Sequence, residues 1–305
     1  MTPHSVDRGA PRSYLYVPGD AGDKLEKVLS RGADAVIIDF EDAVAPVAKQ
    51  RARDTAGAWL GSLGGRPDDG TELWVRINPG PAAAADLHAV VCSAISGVCV
   101  PKASLTELEA AGSLLAALAG ERGVDAPGLM ALVETAHGLK DVASLAACNG
   151  VRQLQLGEYD LGAELGIERG AGDLEFLMAR AQLVLASAVA GLDAPVGPVT
   201  NDFSDLGRLA ESTRALKRLG FGSRACIHPR QVRVVNEVFT PTDADVERAR
   251  ALIAGAERAE RDGRGAWRAE DGTMVDEALV RAARRVLRRR RQNPDPGDRV
   301  PQSDA

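Results

Sequence analysis

Two acidic residues stand where consecutive predicted strands end, near the middle of the chain. Glu134 closes a predicted strand over Leu129–Thr135, and Asp160 follows a second predicted strand over Val151–Leu156. If these strands are parallel neighbours, both carboxylates lie at the same edge of the sheet. Two hard oxygen ligands that leave coordination positions open suit Mg²⁺ better than Zn²⁺. The pattern therefore makes Glu134 and Asp160 candidate ligands of a magnesium ion.

The same two residues also have a simpler structural explanation. Carboxylates in the first turn of a helix accept hydrogen bonds from free backbone N–H groups and interact favourably with the helix dipole. Glu134 could cap the predicted helix over His137–Cys148, and Asp160 could cap a short helix from Leu161. Taken alone, the two residues leave capping and metal binding equally open, so the other strand ends must be considered.

Polar and charged residues recur at nearly every predicted strand end, whereas the opposite ends are mostly apolar or small. Strand alternation places Asp39 on the same face as Glu41, and Arg76 on the same face as Asn78. In a parallel barrel, active sites gather at the carboxyl ends of the strands. We therefore predict a polar active site there. Its further members are Asp42, Lys102, Thr200, Asp202 and His228.

These residue types favour chemistry on a carbonyl compound. Carboxylates that hold Mg²⁺ would let the metal chelate a 2-oxo acid and act as a Lewis acid on its carbonyl group. Arg76 could stabilise a thioester enolate or a substrate carboxylate through its planar fork of donors. The backbone N–H groups of Gly157, Glu158, Tyr159 and Asp160 could hold a carboxylate, as a loop that opens a helix does.

Other catalytic arrangements fit the sequence less well. The chain has no GxSxG motif that would place a serine at a nucleophile elbow. Lys102 could form a Schiff base in a barrel aldolase, but we expect it to pair with a carboxylate at the barrel mouth. His228 precedes Pro229 and could be a general acid or base, or a hydrogen-bonded structural histidine.

The elements that must position these residues alternate regularly between strand and helix. The predicted strands cover Ser13–Pro18, Ala35–Glu41, Glu72–Asn78, Gly97–Lys102, Leu129–Thr135, Val151–Leu156, Ala194–Thr200 and Gly222–Pro229. An α/β chain with eight such strand–helix units has about the length that a TIM (β/α)8 barrel needs. A doubly wound open sheet is the competing architecture, but no GxGxxG fingerprint follows the first strand. We therefore predict the barrel.

The chain beyond the barrel reads as a separate region. We assign residues 1–12 to a flexible leader, 13–240 to the TIM barrel, 241–291 to a C-terminal helical appendix and 292–305 to a disordered tail. Arginines fill Arg288–Arg291 at the end of the last predicted helix. Positive side chains suit a helix C-terminus, so we interpret this run as a solvated helix end rather than a nucleic-acid or targeting patch.

Composition limits the kinds of partner. The 305 residues include 37 Lys and Arg against 43 Asp and Glu, a formal net charge of −6, which argues against a nucleic-acid partner. The cysteines show no CxxC pair and are expected to be reduced thiols in a cytoplasmic protein. We find no apolar run of membrane-spanning length and no signal-peptide core, so we expect no membrane partner.

Longer motifs occur in order from about Arg12 to Leu287. They are RSYLYVPGD (Arg12–Asp20), ADAVIIDFEDAVAP (Ala33–Pro46), VRINP (Val75–Pro79), VPK (Val100–Lys102), ALVETAHGL (Ala131–Leu139), LGEYDLGAELG (Leu156–Gly166), CIHPRQVRVVNEVFTPT (Cys226–Thr242) and DGTMVDEALVRAARRVL (Asp271–Leu287). In these motifs the chain resembles the citrate lyase β-subunit-like enzymes, or CoA ester lyases, of the HpcH/HpaI aldolase superfamily. Together the motifs are specific for the family but not for one substrate.

The resemblance implies a fold and a metal site. The family fold is a TIM barrel with a C-terminal appendix, usually assembled as homotrimers or hexamers. By motif, Glu134 and Asp160 would be the Mg²⁺ ligands, and Arg76 would contact substrate and stabilise an enolate. The resemblance also implies an outer sphere of carboxylates that act through metal-bound water. These are Asp39, Glu41 and Asp42.

The resemblance further implies a site shared between subunits. In the malyl-CoA and citramalyl-CoA lyase relatives, an Asp of a GxMxD-type motif enters the neighbouring subunit's site and is the proposed acid or base. That position here is Asp276. CoA would lie over the barrel mouth, with the first loop near Pro18 and Lys24 as a contact.

We therefore expect a Mg²⁺-dependent lyase that cleaves a 3-hydroxyacyl-CoA thioester to an acyl-CoA and a 2-oxo acid, or runs the reverse condensation. The alternatives are a malyl-CoA-type thioesterase and a non-catalytic CoA-binding subunit of a lyase complex. The sequence departs from the family at the seventh strand, APVGPVT, where many relatives show Ile-Asp-Thr-Val. It also departs at GSRACIHP, where Gly-Lys is common in place of Ser-Arg. These changes bear on the substrate pocket or on CoA binding.

Overall fold

A computed structural model describes residues 10–170, 172–261, 267–268 and 274–292. The first nine residues of the predicted leader and residues 293–305 of the predicted tail lie outside the described residues. The described chain falls into two compact units, one over Ala10–Phe239 and the other from Thr240 onward.

Parallel strands in the first unit close into a barrel in sequence order, each paired with its two neighbours. Within the part of this unit that the structure describes, eight strands form the barrel, which confirms the predicted TIM architecture. The strands are Ser13–Pro18 (β1), Ala35–Asp39 (β2), Glu72–Arg76 (β3), Gly97–Val100 (β4), Gly128–Val133 (β5), Val151–Leu156 (β6), Val196–Gly197 (β7) and Ser223–Cys226 (β8).

Helices follow the strands around the outside of the barrel. They are Gly22–Val28 (α1), Lys49–Ser62 (α2), Ala82–Val90 (α3), Leu105–Arg122 (α4), Ala136–Lys140 (α5), Val142–Ala147 (α6), Glu158–Leu165 (α7), Leu177–Val189 (α8), Leu206–Leu219 (α9) and Pro229–Phe239 (α10). Short 3₁₀ turns cover Leu29–Arg31, Pro46–Ala48 and Leu174–Phe176. The Ser104 side chain caps α4 by accepting a hydrogen bond from the Glu107 N–H.

Two predicted elements differ in extent from the observed ones. The seventh strand is only two residues long, because Pro195 and Pro198 flank it and neither has an N–H group to donate to a neighbouring strand. The single helix predicted over His137–Cys148 is instead α5 followed by α6. The break falls at Asp141, whose backbone (φ −99°, ψ 13°) leaves the helical region.

Strand alternation explains how the barrel interior is filled. Inward-facing apolar side chains form the lower layers, and their members are Tyr14, Ala35, Ile37, Trp74, Cys99, Met130, Leu132, Val196 and Ala225. Trp74 fills the space over Gly97, where an added Cβ would lie 2.2 Å from the indole ring. The next inward positions toward the carboxyl ends are polar, and Asp39 lies two residues beyond Ile37. The barrel therefore has an apolar floor and a polar top layer.

The second unit is mainly helical. It contains two helices, Asp243–Arg261 (α11) and Glu277–Gln292 (α12). It also contains a small antiparallel ribbon formed by Trp267–Arg268 (β9) and Met274–Val275 (β10). Arg290 in the last turn of α12 lies 3.0 Å from the carboxylate of Asp243. In the described parts of the chain, no helix combines the length and apolar character needed to cross a membrane.

Candidate active site

The polar top layer is organised around a bidentate ion pair between Arg76 and Asp39. Asp39 ends β2, Arg76 ends β3, and the two residues are register partners across the parallel strands. Arg76 Nε donates to Asp39 Oδ1 at 2.7 Å and Nη2 donates to Asp39 Oδ2 at 2.6 Å. Nη1 donates to Asp42 at 3.1 Å and lies 2.9 Å from Glu41 Oε2. Three carboxylates therefore fix the orientation of one guanidinium group.

Arg76 stays protonated and positively charged despite its burial. Burial alone would lower its pKa, but the hydrogen bonds to Asp39 and the nearby acidic groups raise the pKa above its ordinary value. The face of the guanidinium also lies 5.1 Å from the centre of the Tyr16 ring, a cation–π contact. The site thus holds a permanent, rigidly oriented cation at the barrel mouth.

Glu134 is a buried carboxylate aimed into the same mouth. It directly follows β5, is 2 % exposed, and accepts a hydrogen bond at 2.8 Å from the backbone N–H of Lys102. It does not cap the following helix, because the Thr135 side chain accepts the hydrogen bond from the Gly138 N–H instead. The capping explanation is therefore wrong for Glu134.

Burial changes the protonation of Glu134. Loss of solvent raises its pKa from 4.5 to about 7, while the Lys102 N–H opposes the rise and the charges of Glu41 and Asp160 add to it. A buried acid with two other acids around it is a place where a divalent cation would relieve electrostatic repulsion.

Lys102 pairs with a carboxylate, as expected from the sequence. Its Nζ lies 2.5 Å from Glu41 Oε1 and 3.9 Å from Glu134 Oε1. Burial raises the pKa of Glu41, and the hydrogen bond from Lys102 and the charge of Arg76 oppose that rise. The ammonium group thus lies between two acids of the site.

Asp160 lies in the first turn of α7, which begins at Glu158 rather than at Leu161. Its side chain is exposed at the mouth, and no side-chain cap is formed at this helix end. The loop before it approaches β5 closely, since Gly157 N–H donates to Val133 O at 3.0 Å. A Cβ added to Gly157 would lie 2.6 Å from the Cβ of Glu134. Glycine at this position therefore lets the two acidic strand ends come together.

A cleft of about 450 Å³ opens at this end of the barrel. Its wall includes both candidate metal ligands, Glu134 and Asp160, together with Arg76. The structure brings most of the other predicted site residues to the same wall. These are Pro18, Asp39, Asp42, Gly157, Glu158 and Tyr159.

Several predicted site residues do not line this cleft, and they include Lys102, Thr200, Asp202 and His228. Glu41 is buried beside it and is held by Lys102 and Arg76. Lys24 is exposed on α1. Asp276 belongs to the second unit, where its exposed carboxylate accepts a hydrogen bond from the Leu279 N–H and starts α12.

The sequence predicted a use for the backbone N–H of Glu158, and the structure shows that its side chain forms ion pairs. Although it borders the cleft, its carboxylate is 2.6 Å from Arg180 Nε and 3.2 Å from Arg169 Nη1. Arg180 lies on α8, 22 residues further along the chain, so no local pattern in the sequence announces this pair. The carboxylate of Glu158 is thus engaged in ion pairs, while its backbone N–H remains at the start of α7.

Sequence reasoning missed several residues of the mouth. Tyr16 and Gln155 face each other inside the barrel, where Gln155 Nε2 donates to the Tyr16 oxygen at 2.9 Å. The alternation of β1 and β6 could have placed both residues inward. Asn201 N–H donates to the Tyr159 oxygen at 3.0 Å, which ties the loop after β7 to α7. That contact joins residues far apart in the chain and leaves no local signal.

His228 has a defined environment beside the cleft. Its ring stacks on Phe203 with centroids 4.8 Å apart and planes 9° from parallel. Nδ1 accepts a hydrogen bond from the Arg230 N–H at 3.1 Å. These contacts fit the hydrogen-bonded structural histidine, one of the two roles considered from the sequence.

The donor set fits a hard divalent cation. Glu134 and Asp160 supply carboxylate oxygens at one cleft, and one Glu134 oxygen, Oε1, is already oriented by the Lys102 N–H. Among the described residues, no group of three or more His, Cys, Asp or Glu side chains is arranged so that it could hold a metal ion. Two carboxylates beside open space match the preference of Mg²⁺ for few protein ligands and several water or substrate oxygens.

Comparisons with known proteins agree with this geometry. The family model described as HpcH/HpaI aldolase/citrate lyase matches residues 12–229. The citrate lyase subunit beta-like protein of Deinococcus radiodurans is 36% identical over 290 residues, which cover 90% of this chain and 96% of that protein. The (3S)-malyl-CoA thioesterase of Cereibacter sphaeroides is 34% identical over 280 residues, which cover 90% and 93% of the two chains.

A solved structure shares the architecture. Protein CitE from Mycobacterium tuberculosis, crystallised in complex with magnesium, acetoacetate and coenzyme A, matches with a TM-score of 0.74 and 29% sequence identity. The match covers 92% of this chain and 98% of that chain. The family model, the relatives and the fold agree over most of the sequence. This chain therefore belongs to the HpcH/HpaI aldolase/citrate lyase family.

Proposed function

We propose that this chain is a Mg²⁺-dependent carbon–carbon lyase for a 3-hydroxyacyl-CoA thioester of the citryl-, malyl- or citramalyl-CoA kind. The observation behind the proposal is that Glu134 and Asp160 share one cleft with the fixed guanidinium of Arg76. The similar CitE structure contains magnesium, acetoacetate and coenzyme A. That structure thus holds a metal, an oxo acid and CoA together.

In the cleavage direction, a base takes the substrate's hydroxyl proton, the bond between C2 and C3 of the acyl chain breaks, and the electron pair of that bond forms the enolate of an acyl-CoA. The other product is a 2-oxo acid. Mg²⁺ held by Glu134 and Asp160 would supply a Lewis acid for the substrate oxygens. The backbone N–H groups at the start of α7 would bind the substrate carboxylate.

Arg76 would stabilise the charge that develops on the thioester oxygen. A guanidinium group has five N–H donors. Three of its N–H groups donate to Asp39 and Asp42, and the group borders the cleft, so donors remain for a substrate oxygen. Since three carboxylates hold it in place, it need not reorganise during the reaction, which is the condition for strong electrostatic stabilisation.

The enolate carbon also needs a proton. We assign this step to Asp276, whose exposed carboxylate precedes α12 in the second unit. In cleavage, the carboxyl group of Asp276 would donate its proton to the enolate carbon. In condensation, the carboxylate of Asp276 would take the proton back from the same carbon of the acyl-CoA. We further propose that Asp276 acts in the cleft of a neighbouring subunit of a homotrimer or hexamer, and that the enzyme works in the cytoplasm. Light scattering on the purified protein measures the assembly.

The test of the reaction is mass-resolved product analysis. Purified protein receives malyl-CoA, citramalyl-CoA and citryl-CoA, each with Mg²⁺ and with EDTA. We expect one of them to give an acyl-CoA and a 2-oxo acid, and we expect EDTA to abolish both products. Failure to form a 2-oxo acid from all three substrates would count against a lyase of this substrate class.

A thioesterase is the second candidate, favoured by the 34% identity to the (3S)-malyl-CoA thioesterase over nearly the whole chain. The same metal site could then activate the thioester carbonyl toward water. Free CoA together with the intact hydroxy acid would identify this reaction in the same assay. A non-catalytic subunit of a lyase complex would give no turnover as a lone chain, and steady turnover by the purified protein excludes it.

A further inference from the structure

Lys102 adopts a backbone conformation that is unusual for its residue type. Its φ of 47° lies in the left-handed region, which side chains with a Cβ occupy only at a steric cost. The residue directly follows Pro101 at the carboxyl end of β4, beside the cleft. Backbone strain of this kind persists where surrounding interactions hold it, and it concentrates at functional sites.

The left-handed turn directs successive N–H groups toward β5. Lys102 N–H donates to Glu134 Oε1 at 2.8 Å, and the next N–H, that of Ala103, donates to Leu132 O at 3.1 Å. In an extended strand, successive N–H groups point to opposite sides, so a regular continuation of β4 would not send both toward β5. The unusual φ is thus what delivers a main-chain donor to the buried carboxylate.

The side chain of the same residue acts on a second acid. The ammonium group is 2.5 Å from Glu41 Oε1 and 3.9 Å from Glu134 Oε1. Glu41 Oε2 faces Arg76 at 2.9 Å without the alignment of a hydrogen bond. Without Lys102, the carboxylates of Glu41 and Glu134 would face each other with one cation fewer to separate their charges.

We propose that Lys102 is a positioning residue for the metal site. Its main chain fixes Oε1 of Glu134, and its ammonium group keeps Glu41 and Glu134 apart, so that the other Glu134 oxygen can face the cation. This inference rests on the proposed role of Glu134 as a Mg²⁺ ligand. It also assigns Lys102 a use other than a Schiff base, since its Nζ is engaged by a carboxylate.

Metal binding, rather than turnover, provides the test. Binding of Mg²⁺ is measured by calorimetry, and binding of Mn²⁺ by electron paramagnetic resonance, on the folded protein without substrate. Lys102→Met removes the ammonium group but keeps the main chain. We expect its dissociation constant for both ions to rise about 10- to 100-fold, as is typical when an outer partner of a ligand is lost. Lys102→Arg keeps the charge and is expected to restore most of the affinity.

A second comparison isolates the main chain. In Lys102→Gly, the residue at position 102 can adopt a positive φ without steric cost. In Lys102→Val, the β-branched side chain strongly disfavours the same angle. Both lack the ammonium group, so we expect the glycine variant to match Lys102→Met and the valine variant to bind metal more weakly than either. Lys27→Met, on the exposed surface of α1, is the control and should leave both dissociation constants unchanged.

The outcomes separate the two proposals. If the unaltered protein binds neither ion, the proposed metal site itself is wrong. If it binds both ions but Lys102→Met binds them equally well or more tightly, or Lys102→Arg binds no better than Lys102→Met, the positioning role is wrong while the metal site stands. A lower melting temperature with unchanged dissociation constants would show a structural role only and would likewise overturn the inference.

Discussion

Asp39 and Arg76 are register partners at the ends of β2 and β3, and their side chains form two parallel hydrogen bonds of 2.7 and 2.6 Å. Backbone pairing and side-chain pairing thus coincide at one level of the barrel. A lysine could keep the charge but not the two-pronged geometry. The orientation of the cation is therefore built into the sheet.

Arg76→Lys is expected to lower kcat by about 10²- to 10³-fold, the usual loss when one oriented donor to a developing oxyanion is removed. Steady-state kinetics at saturating Mg²⁺ would measure the change. The control is Arg53→Lys, since Arg53 forms a comparable pair with buried Asp86 at 2.9 Å but does not line the cleft. Equal kcat losses in the two variants would contradict the assigned role of Arg76.

Gly157→Ala should disturb metal binding through a steric clash. An added Cβ would lie 2.6 Å from Glu134 Cβ and 2.8 Å from Glu134 Oε2, so that carboxylate would have to move. We expect a Mg²⁺ dissociation constant raised by an order of magnitude or more, measured by calorimetry. Gly61→Ala, in α2, meets no atom within 4 Å and is the matched control. Unchanged Mg²⁺ affinity in Gly157→Ala would show that Glu134 does not bind the ion.

Mg²⁺ affinity should depend on pH through Glu134. With its pKa raised to about 7 by burial, a proton competes with the metal below neutrality. We expect the affinity to fall by about tenfold per pH unit below pH 7 and to level off above it. Calorimetry in buffers of different ionisation enthalpy would also detect the released proton. A flat affinity between pH 5.5 and about 8 would contradict this prediction.

Stability of the metal-free protein should show the opposite trend. Between pH 4.5 and about 7 the folded protein holds a proton on Glu134 that the unfolded chain has already lost. The unfolding free energy therefore falls as pH rises through this window, and the contribution of this group is lost above pH 7. Melting temperatures across this range would test it. Glu134→Gln should flatten the slope and, at pH 8, raise the melting temperature of the metal-free protein.

Asp276→Asn is expected to keep Mg²⁺ and substrate binding but to lose about 10²- to 10⁴-fold in kcat, the usual contribution of a general acid or base. Kinetics and calorimetry on the same preparation would separate the two effects. If the site is shared between subunits, mixed oligomers of Asp276→Asn and Glu134→Gln chains should recover part of the activity that neither chain has alone. Full activity of Asp276→Asn would remove it from the mechanism.

The sequence predicted the barrel and its polar mouth because both follow from local rules. The period of two in β5, which turns Met130 and Leu132 inward, also turns Glu134 inward one step further along. The same rule brings Arg76 above Trp74. These positions depend only on strand direction and on where each strand ends.

Other features depend on contacts between distant parts of the chain and could not be predicted in this way. The ion pair of Glu158 with Arg180 requires α8 to lie beside α7. The positive φ of Lys102 could not be predicted from the residue type, because lysine rarely adopts this conformation. Asp276 is exposed in the second unit, so its action in a cleft stays a prediction from family resemblance.

The short β7 has a consequence for how the closed sheet comes apart. It is joined to β6 at the single register pair of Gln155 with Val196, whereas β5 and β6 pair along most of their length. A closed sheet opens most easily where the fewest register pairs join two neighbouring strands. Hydrogen exchange should therefore begin at the β6–β7 seam, and a circularly permuted chain cut between these strands should tolerate the new termini better than one cut between β5 and β6.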